Sequence, residues 1–338
     1  MIEKAADSER ATFNGQIEAW LNAGRPVAEA TVICTWGSPP VPVGGRMIIA
    51  GIDDFQGSVS GGCVEADVIT AALDVMAGSK PQSLIFGIAD ETAWRAGLPC
   101  GSKIRVYVQR INADDAALFS AATEAVRAGR SPRVVATRLG DGVRRVYATA
   151  GNPPAEIAAA FESGQSCVHS NDGAETFANV LIPPPRIVIV GATHVAQVLS
   201  QLAKAVGYDA VVIDPRSAFT SASRFDADTA ITGWPEQEIA SLAGDPYTAI
   251  VTLTHVGHID DEALKIAVRS KCRYVGALGS RKTHAARIAR LQADGFTGTE
   301  VARIHAPVGL DIGGKTPGEI AISILAEIVA AFNGKLTA

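Results

Sequence analysis

What most constrains the fold is the pattern that starts at Pro183-Pro184-Pro185. This stiff spacer runs straight into the apolar segment Ile187-Val188-Ile189-Val190, and from there continuous apolar segments alternate with amphipathic ones. Strands are expected at 187–190, 210–214, near Ala230, at 249–253 and at 274–278, with helices at 193–206, from about Pro235, at 260–269 and at 281–293. Strands that are apolar at every position have both faces covered, which calls for a parallel sheet between two helical layers. Residues 183–338 therefore read as a doubly wound, Rossmann-like α/β domain. Its last helix has a well-marked start: Thr316 as N-cap, Pro317 at the first helical position and Glu319 at the third make a capping box.

Residues 1–182 are less regular and read as a mixed α+β domain. Helices are expected at 17–23, 64–77 and 113–128, and strands at 31–35, 46–50, 84–86, 104–108, 133–137 and 144–148. Asp141-Gly142 joins the last two strands as a hairpin. Two domains also suit a chain of 338 residues at roughly 150 residues per domain.

Composition narrows the function classes. Hydrophobic residues at 47% and charged residues at 19% exclude a disordered chain. The net charge of -5 gives no reason to expect nucleic acid or an anionic membrane as partner. No signal-like or membrane-spanning segment is expected, because the longest apolar stretch, 321–332, is broken by Glu327 and falls short of about 20 residues. The five cysteines are odd in number and lack any CxxC pair, so a disulfide framework and a structural zinc site are not expected. A reducing cytoplasm fits that usage.

Two of the cysteines sit in glycine-rich loops. Gly57-Ser58-Val59-Ser60-Gly61-Gly62-Cys63-Val64-Glu65 places a Gly/Ser loop ahead of the helix at 64–77. The first N–H groups of a helix and the positive end of its dipole face such a loop and favour an anion such as phosphate. The same field favours a thiolate at Cys63, as nucleophile or soft-metal ligand; the alternative is a small packing residue. In Gly97-Leu98-Pro99-Cys100-Gly101-Ser102, Cys100 stands just before a strand, with the same two readings. Cys34 in an apolar strand, Cys167 in a linker and Cys272 at a helix end read as packing residues. Gly37-Ser38-Pro39-Pro40 and Gly44-Gly45-Arg46 read either as surface turns or as an anion contact.

In the second half, ligands are expected outside the carboxyl ends of the strands. Gly191-Ala192-Thr193-His194-Val195-Ala196 resembles the dinucleotide turn G-x-G-x-x-G/A with Thr193 in place of the second glycine. Asp214 ends the next strand at the interval of the acid that takes a ribose hydroxyl. The next strand end reads Thr254-His255-Val256-Gly257-His258-Ile259-Asp260-Asp261 and could bind a metal or move protons. Equally, Asp260 could cap the following helix. Ser280, Arg281 and Lys282 at a helix start would suit a phosphate, and the loop at 307–315 is rich in glycine.

Taken together, these segments resemble the XdhC/CoxI family of molybdenum-cofactor maturation factors. The resemblance covers nearly the whole chain. It rests on GSVSGGCVE around Cys63, GLPCGS around Cys100, the turn at Gly191, TLTHVGHIDDEAL from Thr252, YVGALGSRKTHAAR from Tyr274 and HAPVGLDIGGKTPGEIAISILAEI from His305. Thr193 and Ser102 depart from it, since the family usually carries glycine at both. The resemblance implies a cysteine domain joined to a Rossmann domain. It also implies a non-catalytic chaperone that binds molybdopterin, as the mononucleotide or the cytosine dinucleotide, permits its sulfuration by a cysteine desulfurase, and inserts it into a xanthine dehydrogenase or CO dehydrogenase type molybdoenzyme. Cys63 and Cys100 would hold the metal–sulfur centre. Gly61, Gly62, Gly191, Thr193, His194, Asp214, His255, His258, Ser280 and Arg281 would line the rest of the cofactor site. A homodimer is expected. Two other readings remain open: an NAD(P)-dependent oxidoreductase or metal-assisted hydrolase using His255 and His258, and a structural partner of a molybdoenzyme that binds no small ligand.

Overall fold

A computed structural model of the chain describes residues 6–87, 103–226 and 229–336. It divides the chain into two units, Met1–Pro183 and Pro184–Ala338. In the first, α1 (Ala6–Asn22), β1 (Val27–Trp36), β2 (Arg46–Ile49), β3 (Phe55–Gly57), α2 (Glu65–Met76), β4 (Gln82–Phe86) and β5 (Lys103–Ile111) build a sheet with α2 on one face and α1 on the other. The strands pair antiparallel in the order β3-β2-β1-β5-β4. Alternation along β1 sends Ala28, Ala30 and Val32 into a core with Val68, Ala72 and Val75 of α2, as a sheet residue period of two requires.

The rest of this unit is α3 (Ala113–Gly129), β6 (Arg133–Arg138), β7 (Arg144–Ala148), a single 3-10 turn at Thr149–Gly151, α4 (Ala155–Ser163), β8 (Cys167–Asn171) and β9 (Ala174–Leu181). Its strands form a second antiparallel sheet, β7-β6-β9-β8. Glu29 of β1 bonds Arg46 and Arg144, and all three side chains are almost wholly buried. Burial alone would raise its carboxyl, but the two guanidinium groups outweigh that and hold it down to about 2.

The second unit contains β10 (Arg186–Val190), α5 (His194–Ala205), β11 (Asp209–Asp214), β12 (Ala230–Thr232), α6 (Pro235–Leu242), β13 (Thr248–Thr252) and α7 (Gly257–Ala267). It continues with β14 (Tyr274–Ala277), α8 (Arg281–Ala293), α9 (Gly298–Val301), β15 (Ile304–His305) and α10 (Pro317–Phe332). Its sheet is wholly parallel, in the order β12-β11-β10-β13-β14-β15. The chain order reverses between β10 and β13, and that reversal is the switch point of a Rossmann fold. Both faces are covered, as the uniformly apolar strands demand. Ile187, Ile189 and Val251 pack with Leu199 of α5 and Ile324 and Ile328 of α10, while Val188, Val190 and Ile250 pack with Ile239 of α6 and Leu264 of α7. The capping box of α10 forms as the sequence predicts: Thr316 accepts from the Glu319 amide and Glu319 from the Thr316 amide.

Several segments differ from the sequence reading. The helix expected at 260–269 begins at Gly257, because Asp260 lies inside its first turn and reaches back to Thr254. Cys167 starts strand β8 rather than lying in a linker. Among the described residues, no helix is long and apolar enough to cross a membrane.

Candidate functional site

The loop ahead of α2 closes on itself. Glu65, the first residue of the helix, turns its carboxylate back into the loop and accepts from the hydroxyls of Ser58 and Ser60 at 2.6 Å each. The same carboxylate takes the amides of Val59, Ser60 and Val64. Ser60, only 1% exposed, accepts in turn from the Cys63 and Val64 amides at 2.9 and 3.0 Å. The amides of Val59, Ser60, Gly61, Cys63 and Val64 are therefore satisfied from within, and a carboxylate of the protein takes an anion's place in the loop. Burial raises the Glu65 carboxyl, yet the bonds from Ser58, Ser60 and the loop amides override it and hold the group to about 2. The loop also carries Cys63. Its side chain is half-buried and packs against the α2 core, with Gly61 and Gly62 exposed beside it at φ of 81° and 108°. Cys100 lies outside the described residues.

At the switch point of the other unit, the turn after β10 is fixed by close packing. Gly191 has φ 106°, and a Cβ there would come within 2.7 Å of the Thr254 side chain and 2.8 Å of its amide. Only glycine lets the ends of β10 and β13 approach this closely. Thr193 is the N-cap of α5 and accepts from the Ala196 amide at 3.3 Å, so the residue that replaces glycine has a local role. His194 follows it and is exposed.

Asp214 is fully buried at the end of β11, and the protein uses both of its oxygens. One accepts from the Ala192 amide at 2.8 Å and from Arg216 Nη2 at 2.7 Å. The other accepts from the Arg216 amide and Nε at 3.0 and 2.8 Å. Burial pushes this carboxyl up, but the Arg216 and Ala192 bonds bring it below its ordinary value. The acid that the spacing assigns to a ribose hydroxyl is thus an internal anchor joining the glycine turn to the loop after β11.

The histidine segment divides in two. His255 and His258 are exposed, and His255 holds φ 60°, unusual for any residue but glycine. The carboxylates beside them are committed elsewhere. Asp260 accepts from the Thr254 hydroxyl at 2.7 Å, and burial raises its carboxyl despite that bond. Asp261 is paired with Arg290 at 2.6 Å. Among the described residues no three metal-ligating side chains converge. Ser280 caps α8 by accepting from the Thr283 amide at 3.1 Å, and Arg281 beside it is exposed. Because the sheet is parallel, the turns bearing His194, Asp214, His255 and Ser280 all leave its carboxyl edge.

Some participants are not evident from residue patterns. Arg216 lies only two residues beyond Asp214, and an arginine so close to the strand-end acid is the available signal. His305 stacks on Tyr274 with centroids 4.8 Å apart, and its Nδ1 is 3.5 Å from Glu327. Glu327 also accepts from the Tyr274 hydroxyl at 2.6 Å, across 53 positions of sequence, a separation that leaves no pattern to read. In the first unit, Cys167 Sγ lies 3.1 Å from His169 Nε2.

Comparison with known proteins meets this geometry at both ends of the chain. Residues 187–328 match the XdhC Rossmann domain and residues 20–87 match the XdhC and CoxI family. The chain belongs to the XdhC/CoxI family. The XdhC Rossmann match spans the six parallel strands with few residues left over, and the XdhC and CoxI match contains the whole Cys63 loop. A protein of Bacillus subtilis named as a probable xanthine dehydrogenase subunit is 27% identical over 94% of this chain and 96% of its own length. The molybdenum cofactor insertion chaperone PaoD of Escherichia coli is 26% identical over 96% of this chain and 89% of its own. A crystal structure described as a xanthine dehydrogenase from Bacillus halodurans shares the fold, with a TM-score of 0.74 at 24% identity over 96% of this chain and 97% of that one.

Proposed function

We propose that this XdhC/CoxI-type chain is a maturation factor that holds a molybdenum cofactor and delivers it to a molybdoenzyme of the xanthine dehydrogenase class. The observation that carries the reading is the near full-length similarity to a molybdenum cofactor insertion chaperone, combined with a half-buried thiol at Cys63 in a glycine-rich loop closed by Glu65. The cofactor, when bound, would supply a soft metal–sulfur centre, and a thiol is the donor class suited to it. Cys63 and Cys100 would hold that centre, with Gly61 and Gly62 leaving space beside it. In the Rossmann unit, Thr193, His194, His255, His258, Ser280 and Arg281 are the further residues proposed to contact the cofactor, Gly191 and Asp214 holding the turns in place. Sulfuration by a cysteine desulfurase, a CO dehydrogenase type client, the cytosine-dinucleotide form, a homodimeric state and a cytoplasmic location belong to the same reading.

The test is retention of cofactor. Purified chain is incubated with a molybdopterin source and desalted, and bound pterin and molybdenum are measured by fluorescence and elemental analysis. The Cys63→Ala and Cys100→Ala variants are expected to retain less than about a tenth of the parent's cofactor. Equal loading would overturn the role of the thiols. A second reading, an NAD(P)-dependent oxidoreductase, draws on the Rossmann strand order alone; the hydrolase variant of it is disfavoured by the commitments of Asp260 and Asp261. Submicromolar NAD(P) binding with hydride transfer to a carbonyl panel would favour it.

A further inference from the structure

The loop between β11 and β12 contains a feature that the cofactor reading leaves unused. Arg216 and Arg224 both stack on Phe219, with their guanidinium carbons 4.0 and 5.4 Å from the ring centroid. Each guanidinium is held from behind. Arg216 gives Nε and Nη2 to the buried Asp214, and Arg224 gives Nη2 to the Ala192 carbonyl at 2.9 Å. These bonds fix both groups beside the glycine turn, at the end of the strand next to β10. Among the described residues, Arg216 Nη1 has no partner, and Arg224 Nε is buried with none. The nearby carboxylate Asp226 is engaged by Lys204 at 2.9 Å, and no carboxylate among the described residues pairs with Arg224. The exposed hydroxyl residue Ser217 and the linked pair Ser221 and Ser223 stand in the same loop.

Where a dinucleotide fold reads a free ribose diol, a strand-end acid keeps its oxygens available, and where it reads a phosphate at that point, an arginine stands there instead. Here the acid is saturated and an arginine held by it takes the outward position. The fixed, planar guanidinium groups offer positive charge and, at Arg216 Nη1, a spare N–H donor to the oxygens of a tetrahedral, doubly charged phosphate ester. We propose that Arg216, Phe219 and Arg224 form a subsite for a phosphomonoester dianion, so that the ligand of the Rossmann unit carries such a group rather than an unmodified ribose diol. The dianion could come from a ribose 2′-phosphate or from a terminal 5′-phosphate. The inference takes its biological sense from the ligand-holding role proposed above, but it is tested with free nucleotides and needs no molybdenum.

The experiment is calorimetry on the full chain with matched pairs that differ only by the phosphate: NADP+ against NAD+, and 5′-CMP against cytidine. At least one pair is expected to favour the phosphorylated member by tenfold or more. The first pair identifies a 2′-phosphate and the second a 5′-phosphate. Arg224→Gln and Arg216→Lys, checked for folding by circular dichroism, are expected to reduce that preference to less than about threefold, and Arg269→Gln, at an arginine stacked on Phe296 just beyond the end of α7, to leave it unchanged. Absence of preference in both pairs, or the same preference in the arginine variants, would overturn the subsite. Failure here with normal pterin retention would leave the chaperone reading standing, and the reverse result would separate the two the other way.

Discussion

Two glycine-rich turns in this chain look alike in sequence and end in different chemistry. Both precede a helix, both are expected to offer backbone amides to an anion, and in each a carboxylate of the protein occupies the amides first. Ahead of α2 the carboxylate is Glu65, which is the first residue of the helix and bonds a loop within seven residues of itself. Ahead of α5 it is Asp214, on a neighbouring strand 22 residues from the Ala192 amide it accepts. The local closure leaves a thiol as the distinctive group, whereas the long-range one brings in Arg216 and turns an acidic strand end into a basic surface. A glycine motif thus marks where backbone must approach closely, and the group that arrives there depends on the fold.

Substitutions can break this comparison at either turn. The largest effect is expected for Asp214→Ala, which strips a fully buried carboxylate from Arg216 and the Ala192 amide. The Ala192 amide is left unsatisfied and Arg216, with about a third of its side chain in water, loses its partner, so the cost should be about 3 kcal/mol, measured as the shift in urea unfolding free energy. Gly191→Ala and Gly62→Ala form the next test, since φ is 106° and 108° but only Gly191 has backbone within 3 Å of an added Cβ. The first is expected to lose about 2–3 kcal/mol through strain and a backbone clash, the second about 1–2 kcal/mol from the left-handed conformation alone. Equal losses would show that the approach to Thr254 does not matter.

The smallest expected effect is the most informative about pH. Glu65→Gln keeps an acceptor in the α2 loop but removes its charge, and the site is partly open to solvent, so the cost at neutral pH should be only about 1 kcal/mol. The folded carboxyl, held to about 2, lies below its usual value near 4.3. Its contribution is therefore complete above about pH 5 and is lost as the pH falls from there through the folded value. Urea midpoints of parent and variant should converge between about pH 5 and pH 2. A gap that persists at the acid end would assign the stabilisation to shape rather than charge.

The elements legible in sequence are those with strong periodicity or explicit boundary chemistry. The apolar strands at 187–190 and 249–253, the helix at 281–293 and the cap formed by Thr316, Pro317 and Glu319 are of this kind. By contrast β8, whose residues are half-buried or exposed, and β15, only two residues long, carry too little pattern to be read. The same division runs through the site. The spacing from Gly191 to Asp214 locates the acid correctly at a strand end, but its saturation depends on where Arg216 folds back and on the pairing of β10 with β11. His305 and Glu327 meet only because β15 and α10 bring them together.

The sequence by itself determined the parallel sheet, the helix caps and the presence of a thiol in a glycine-rich turn, because these follow from burial period, local hydrogen bonding and backbone conformation within a few residues. Tertiary structure alone decided which donors remain available. Asp214 reaches the Ala192 amide, 22 residues away, across a distance set by strand order and packing, and no local pattern encodes that distance.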